Sequence, residues 1–375
     1  MDFSLSEEQT MTCDAARKFF AREFPLQRLR EVEAQGLAEF MAVYRKMGEL
    51  GFLGIGVPED CGGGGGSWLD LALFAEEAGR ALVPTLQITS VVLAAQALIA
   101  FGGTKKSRDR VARLVSGETV ITPAWLEGEE AGREPGSATT AAPHEDRIEL
   151  NGIRRYVEAY DVASELLVSA SDIRGNTCFY LVPRASPGLS AEEKRLSSLD
   201  RIHDVRLGGV SLPATAALGG GWDDWLEVID ASKVIVAAWA VGAARAALDM
   251  AVEYAKVRQQ FNRPIGSFQA IQHRLADAAI AVEQATAMVR YAAWLRGSSG
   301  QWKREASMAR LVAGRVVRQV AHAAMLTHGG YGFMEEYDIQ LYFRRAKQFE
   351  YMVEGPMLQR ELIADEDVDD ASRVL

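Results

Sequence analysis

Residues 234–250 read VIVAAWAVGAARAALDM, the most apolar run of the chain, and its reading decides the architecture. The run is rich in alanine, carries Arg245 and falls short of the roughly 20 apolar residues that cross a bilayer, so it reads as a buried core helix and no membrane span is expected. Helical periodicity extends outward on both sides, giving one long helix from Asp223 to Gln260, then others from Ser267 to Arg296 and from Gln301 to Thr327. The breaks fall at residues 297–300 (GSSG) and 328–332 (HGGYG). Long helices that are apolar on more than one side predict a bundle that also buries a face against other subunits.

Further upstream the period changes. Between residues 121 and 225 valine, threonine and tyrosine gather in short runs such as ELLVSAS and TCFYLVP, separated by an Arg174-Gly175-Asn176 turn, which reads as β structure. Residues 1–120 return to three-and-four spacing, in FMAVYRKMGELGF and WLDLALFAEEAGRALV. The expected fold class is therefore α+β, with an N-terminal helical domain (1–120), a central β-domain (121–225) and a C-terminal helical bundle (226–375) ending in a solvated acidic tail. Alternating βαβ units are absent, so a Rossmann domain is not supported.

Composition narrows the function. A net charge of −10 and a pI near 5.2 give no general attraction for phosphate backbones or anionic lipids, so no nucleic-acid partner is expected. Cys13, Cys61 and Cys178 are far apart and odd in number, without Cys-x-x-Cys or paired histidine spacing. Neither a disulfide framework nor a metal site is expected, and a cytoplasmic location fits. The start, MDFSLSEEQTMTCDAARKFF, is acidic and amphipathic, unlike a signal peptide.

Two segments carry candidate chemistry. The glycine run at 62–66 lacks the Gly-Lys-Ser/Thr ending of a phosphate loop and reads as a flexible helix connection. In RQQFNRPIGSFQ (258–269) a guanidinium, a ring and an amide converge where one helix stops and the next begins. That pattern suits either an ordinary helix corner or recognition of a phosphate or an adenine edge. The glycines of HGGYG would let a ligand approach the backbone, or would simply cap a helix.

Taken together, YAKVRQQFNRPIGSFQAIQHRLAD, followed about fifty residues later by HGGYGFMEEYDIQLYFRRAK, resembles the paired C-terminal signatures of the flavin-dependent acyl-CoA dehydrogenases. FSLSEEQ near the start, GFLGIGVPEDCGGGGGS and LNGIRRYV are similar to other parts of that family, in the right order over nearly the whole chain. The resemblance implies a C-terminal four-helix bundle, a tetramer, FAD at subunit contacts, an acyl-CoA substrate from fatty acid or steroid catabolism, and an electron-transferring flavoprotein as acceptor. It also implies chemistry in which a glutamate takes the α-proton while the β-carbon passes hydride to the flavin.

By the same resemblance, Arg258, Phe261, Ile265, Gln269, Leu326, Gly329 and Gly330 are expected to serve a neighbouring subunit's FAD. The residues expected around the subunit's own flavin depart from the family pattern: the flavin loop reads LEGEEAG from Leu126, and the family's Trp-Ile-Thr becomes Tyr156-Val157-Glu158. Glu354 is the expected base, although ungapped spacing puts that position on Val353; the alternative place for a base reads Ser232-Lys233, and Glu158 is the rival carboxylate. Two functions are implied: a self-sufficient homotetrameric dehydrogenase, or the partner subunit of a heterotetramer that completes a neighbour's FAD site.

Overall fold

A computed structural model of the chain describes residues 4–101, 103–128, 138–298 and 301–374. The elements run helix, strand, helix as the periodicity predicts. The first helices are α1 (Glu7–Glu23), α2 (Leu26–Gln35), α3 (Met41–Glu49), α4 (Trp68–Arg80), α5 (Gln96–Ala100) and α6 (Lys105–Val115). The strands are β1 (Ile121–Ala124), β2 (Thr140–His144), β3 (Arg147–Glu158), β4 (Glu165–Ser171), β5 (Thr177–Pro183), β6 (Leu189–Arg195) and β7 (Arg201–Pro213). Helices α7 (Trp222–Val257), α8 (Gln269–Ser298), α9 (Lys303–His328), α10 (Ile339–Tyr351) and α11 (Pro356–Val374) complete the chain. The acidic end, expected as a solvated tail, is thus helical in its backbone.

Packing divides the chain into two compact units that do not follow chain order. One unit comprises residues 1–29, 67–83 and 233–375; the other comprises 30–66 and 84–232. In the first, α1 and α4 join the bundle of α8 to α11. Ser67 caps α4 through a reciprocal pair of hydrogen bonds with Asp70, at 3.2 and 2.8 Å. Within this unit α4 and α7 meet backbone to backbone. A Cβ added at Gly79 would lie 2.0 Å from the Trp239 carbonyl oxygen, and one added at Gly242 would lie 1.8 Å from that of Glu76. Only glycine fits at either place. Flanking this contact, Arg290 forks onto the Glu76 carboxylate at 3.0 and 2.8 Å.

Helix α7 closely matches the expected 223–260, and by length and hydropathy it could cross a membrane; 78% of its apolar window is buried within the protein, which marks it as a core helix.

The second unit is built on a seven-stranded sheet in the order β1-β4-β2-β3-β7-β6, with β5 paired antiparallel to β4. Its core includes Leu150, Leu166, Val168, Val182, Val205 and Val210, fully buried. The expected turn between β4 and β5 is held by Asp172, whose carboxylate accepts the Arg174 and Asn176 amides at 2.8 and 2.9 Å. The glycine run is not a loose connection: Gly64 N–H donates to the Gly54 carbonyl at 2.9 Å, and a Cβ on Gly63 would strike the Val57 carbonyl at 2.0 Å. Residues 88–95 form a π-helical segment in which every residue is buried, a rare geometry that recurs at functional sites.

Candidate functional site

Helix α7 closes with the Arg258 amide donating to the Tyr254 carbonyl at 2.9 Å, and the chain reverses in a two-residue hairpin between Gln259–Gln260 and Arg263–Pro264. Its tip, Phe261 and Asn262, takes φ of +53° and +61°, both left-handed as such a turn requires. Asparagine tolerates this conformation; phenylalanine does so at a cost of about 1–2 kcal/mol. The Phe261 ring is 87% exposed and meets the Phe268 ring edge-on, 6.1 Å between centroids. The Ile265 amide returns to the Arg258 carbonyl at 2.8 Å and fixes the hairpin beside the end of α9.

There α9 stops at Gly329 (φ +62°), and a groove of about 450 Å³ opens, lined by Tyr254, Arg258, Gln260, Ile265, Thr327, His328, Gly329, Gly330, Tyr331 and Met334. The Arg258 guanidinium lies 4.9 Å from the centroid of the Tyr331 ring, and no carboxylate among the described residues pairs with it. Tyr254 and His328 stack at 4.2 Å. Burial lowers the His328 pKa against the opposing pull of its Nδ1–H bond to the Ala324 carbonyl at 2.8 Å, which keeps a proton on Nδ1. A Cβ added at Gly329 or Gly330 would meet nothing within 4 Å, so the backbone is bare toward the groove. One unpaired cation, flat rings and open backbone suit a phosphate attached to a planar heterocycle. Of the expected cofactor residues, Arg258, Ile265, Gly329 and Gly330 meet here, while Phe261, Gln269 and Leu326 are exposed outside the lining.

The residues expected around the subunit's own flavin lie in the second unit, at the end of β3. Its ladder to β7 is bulged between Arg154 and Val157, and Tyr156 and Ala159 take φ of +57° and +55°. Leu126 accepts the Arg155 amide through its carbonyl at 2.8 Å. Beside it the Glu127 carboxylate accepts the Ala138 and Thr139 amides, both at 2.8 Å, and pairs with buried Arg154 at 2.6 Å. The rest of the LEGEEAG loop, from Glu129, lies outside the described residues. Glu158 is partly buried: its Oε2 is 3.1 Å from the Thr89 hydroxyl and 3.4 Å from that of Thr85, and its carbonyl accepts the Thr122 hydroxyl at 2.6 Å. Burial, with Asp200 adding negative charge nearby, pushes its carboxyl up to about 7.

Glu354 follows Val353, which takes φ +69°. The turn folds the Glu354 side chain inward, where its Oε2 receives Lys233 Nζ at 3.0 Å and Gln359 Nε2 at 3.0 Å. Both charged side chains are at most 2% exposed, and Lys233 also reaches Ser307 Oγ at 3.2 Å. Arg310, wholly buried alongside, donates to the Met352 carbonyl at 2.7 Å; burial lowers its guanidinium to about 10 against the pull of Glu354 and Glu350. The expected base is therefore engaged by a buried ammonium and an amide. Sequence reasoning missed Lys233 as its partner, and missed Tyr254, His328 and Tyr331 as groove walls. Tyr254 could have been found, because it sits one helical turn before Arg258 on the same face.

Two family models match the chain: "Acyl-CoA dehydrogenase, N-terminal domain" over residues 6–118 and "Acyl-CoA dehydrogenase, C-terminal domain" over 219–366. A probable acyl-CoA dehydrogenase of Bacillus subtilis, YngJ, is 33% identical over 97% of this chain and 99% of its own. Two solved structures align with nearly all of the chain. A variant of the Tcur3481-Tcur3483 steroid ACAD is 32% identical with a TM-score of 0.87, over 98% of this chain and 100% of that one. The ChsE4-ChsE5 complex of Mycobacterium tuberculosis is 30% identical with a TM-score of 0.88, over 98% and 99%. With both models, a full-length relative and the fold in agreement, the chain belongs to the acyl-CoA dehydrogenase family.

Proposed function

We propose that this chain is an FAD-dependent acyl-CoA dehydrogenase subunit that works beside a second, unlike chain, offering its groove to a neighbour's FAD while a group other than Glu354 takes the α-proton. The reaction class is α,β-dehydrogenation of an acyl-CoA thioester. FAD supplies the two-electron acceptor when bound, and an electron-transferring flavoprotein is the acceptor we assign beyond it. The observation that carries the two-chain reading is the Lys233–Glu354 pair. A base must present an oxygen to the substrate, and the Glu354 carboxylate is buried with Lys233 and Gln359 on one oxygen. The two-part names of the steroid ACAD and of ChsE4-ChsE5 support the same reading, and with it a steroid-derived acyl group.

The residues of the groove fit FAD. Arg258 would meet the pyrophosphate or adenine edge, the bare backbone at Gly329 and Gly330 would let the dinucleotide lie close, and Tyr331 would flank it. Phe261, exposed and left-handed, would reach across to the neighbouring subunit.

The test is the flavin content and anaerobic bleaching of the chain purified alone, against a panel of acyl-CoA esters. The expected result is less than one FAD per protomer and no bleaching. One FAD per protomer, bleached by an acyl-CoA and no longer bleached in Glu354→Gln, would overturn the two-chain reading and restore Glu354 as base.

A further inference from the structure

On the ladder between β6 and β7, Glu193 stands directly opposite His203, so the two side chains rise from the same face of the sheet as neighbours. A third group reaches them from beyond β3. Ala159 takes φ +55°, and the chain turns there into a short 3-10 segment, Tyr160–Val162, that brings Asp161 Oδ1 to 3.2 Å from His203 Nε2. One ligand atom from each of the three residues lies within 4.8 Å of the other two. Nothing in their spacing along the chain announces them. His203 is 5% exposed and lies against the Tyr160 ring, 5.0 Å between centroids, and its Nδ1 has no hydrogen-bond partner among the described residues. The Asp161 and Glu193 side chains are 42% and 40% exposed, so a buried imidazole forms the floor of the cluster and two carboxylates form its open mouth.

We propose that Asp161, Glu193 and His203 bind a divalent ion of the zinc class, with a fourth position open to water. One imidazole with two carboxylates suits zinc better than magnesium or calcium, which take all-oxygen sets. Two ligands at 2.0–2.1 Å from a tetrahedral ion stand about 3.3 Å apart, and the Asp161–His203 separation of 3.2 Å already matches that edge. Glu193 is the ligand with room to adjust. Arg201 holds its Oε2 at 3.1 Å and Arg195 stands 3.7 Å from its Oε1; contacts of this kind orient ligating carboxylates. Two carboxylates so close together repel, and a cation between them turns the repulsion into attraction. The ion would pin the turn after β3 to the β6–β7 ladder, as a staple within the second unit that owes nothing to the FAD reading.

The experiment titrates Zn²⁺ by calorimetry into the full chain stripped with a chelator, and repeats the titration with Co²⁺, whose visible bands report a nitrogen and oxygen ligand set. The expected result is an equivalent of zinc that the parent binds and His203→Gln does not. Asp161→Asn and Glu193→Gln, which keep the shape and remove a charged ligand at an exposed position, should each weaken it by at least about tenfold. If His203→Gln fails to fold, these two variants and the cobalt bands decide. Zinc should also raise the melting temperature of the parent and slow hydrogen exchange at residues 160–164, and do neither in Asp161→Asn. No zinc uptake by the parent, or uptake and cobalt bands unchanged in both carboxylate variants, overturns the site. Uptake that leaves exchange at residues 160–164 unchanged overturns the staple.

Discussion

Replacing Lys233 by methionine should cost the bundle unit several kcal/mol. The Lys233 ammonium and the Glu354 carboxylate lie 3.0 Å apart with at most 2% of either side chain exposed. At an effective dielectric of about 20 their attraction is roughly 5 kcal/mol. Most of that offsets the desolvation of the two ions, so the intact pair adds little net stability. Lys233→Met removes the attraction but leaves the carboxylate buried with Gln359, and breaking a buried pair on one side costs about 3–5 kcal/mol. With a urea slope of about 2 kcal/mol per molar, the unfolding midpoint should fall by about 2 M. The readout is the urea profile together with hydrogen exchange in peptides covering residues 350–360, which should lose protection first. Lys233→Met/Glu354→Gln removes both charges while keeping an acceptor for Gln359, and should recover most of the loss. A single variant that unfolds within about 0.5 M of the parent, or a double variant no better than the single, would refute the buried pair and reopen Glu354 as a base.

Arg258→Ala should weaken FAD binding about 10- to 150-fold, the equivalent of losing a charge-assisted contact of about 1.5–3 kcal/mol, as read by fluorescence titration. Phe261→Gly should raise the stability of the chain by up to about 1 kcal/mol by relieving a left-handed phenylalanine, and should at the same time weaken flavin retention or assembly, as read by denaturation and sedimentation; unchanged assembly would show that the ring has no partner beyond Phe268 of its own chain. The Glu158 carboxyl is raised from 4.5 to about 7 by folding, so the native state holds a proton the unfolded chain has released. Stability should therefore fall as pH rises from about 4.5 to about 7, and part of that slope should vanish in Glu158→Gln when melting is followed across the range.

The long helices, the β4–β5 turn and the order of elements were legible because each rests on local signals: apolar period, turn residues and caps. Arg258 and the paired glycines were legible because both lie where helices end. Glu354 was legible only as a type of residue near the expected place. What decides its role is Lys233, far away in the chain, and a one-residue turn at Val353 whose positive φ has no signal in a β-branched side chain. The left-handed Tyr156 and Ala159 were hidden as well, since neither is a glycine or an asparagine. The helix at the acidic end was not legible from its charge, which speaks to solvation, whereas Pro356 at the first helical position of α11 speaks to structure. The glycine run was misread as slack, since close backbone approach looks like flexibility until the neighbours are known.

The contact of α4 with α7 has a mechanical consequence. Gly79 faces Trp239 and Gly242 faces Glu76, so each helix seats a carbonyl in the other's notch, and the two notches lie three residues apart along both helices. Sliding either helix by a turn would bring a side chain against a carbonyl, so the pair has one working register and behaves as an indexed joint. Distances set along α7 are thereby carried to α4 without slack, as in the reach of Arg80 to Asp249 at 2.6 Å and in the Tyr342 hydroxyl that donates to the Arg80 carbonyl at 2.7 Å. The far end of the same rigid rod carries Arg258. A load on the cofactor groove is borne by a shaft keyed against rotation, and compliance is left to the hairpin tip at Phe261 and Asn262.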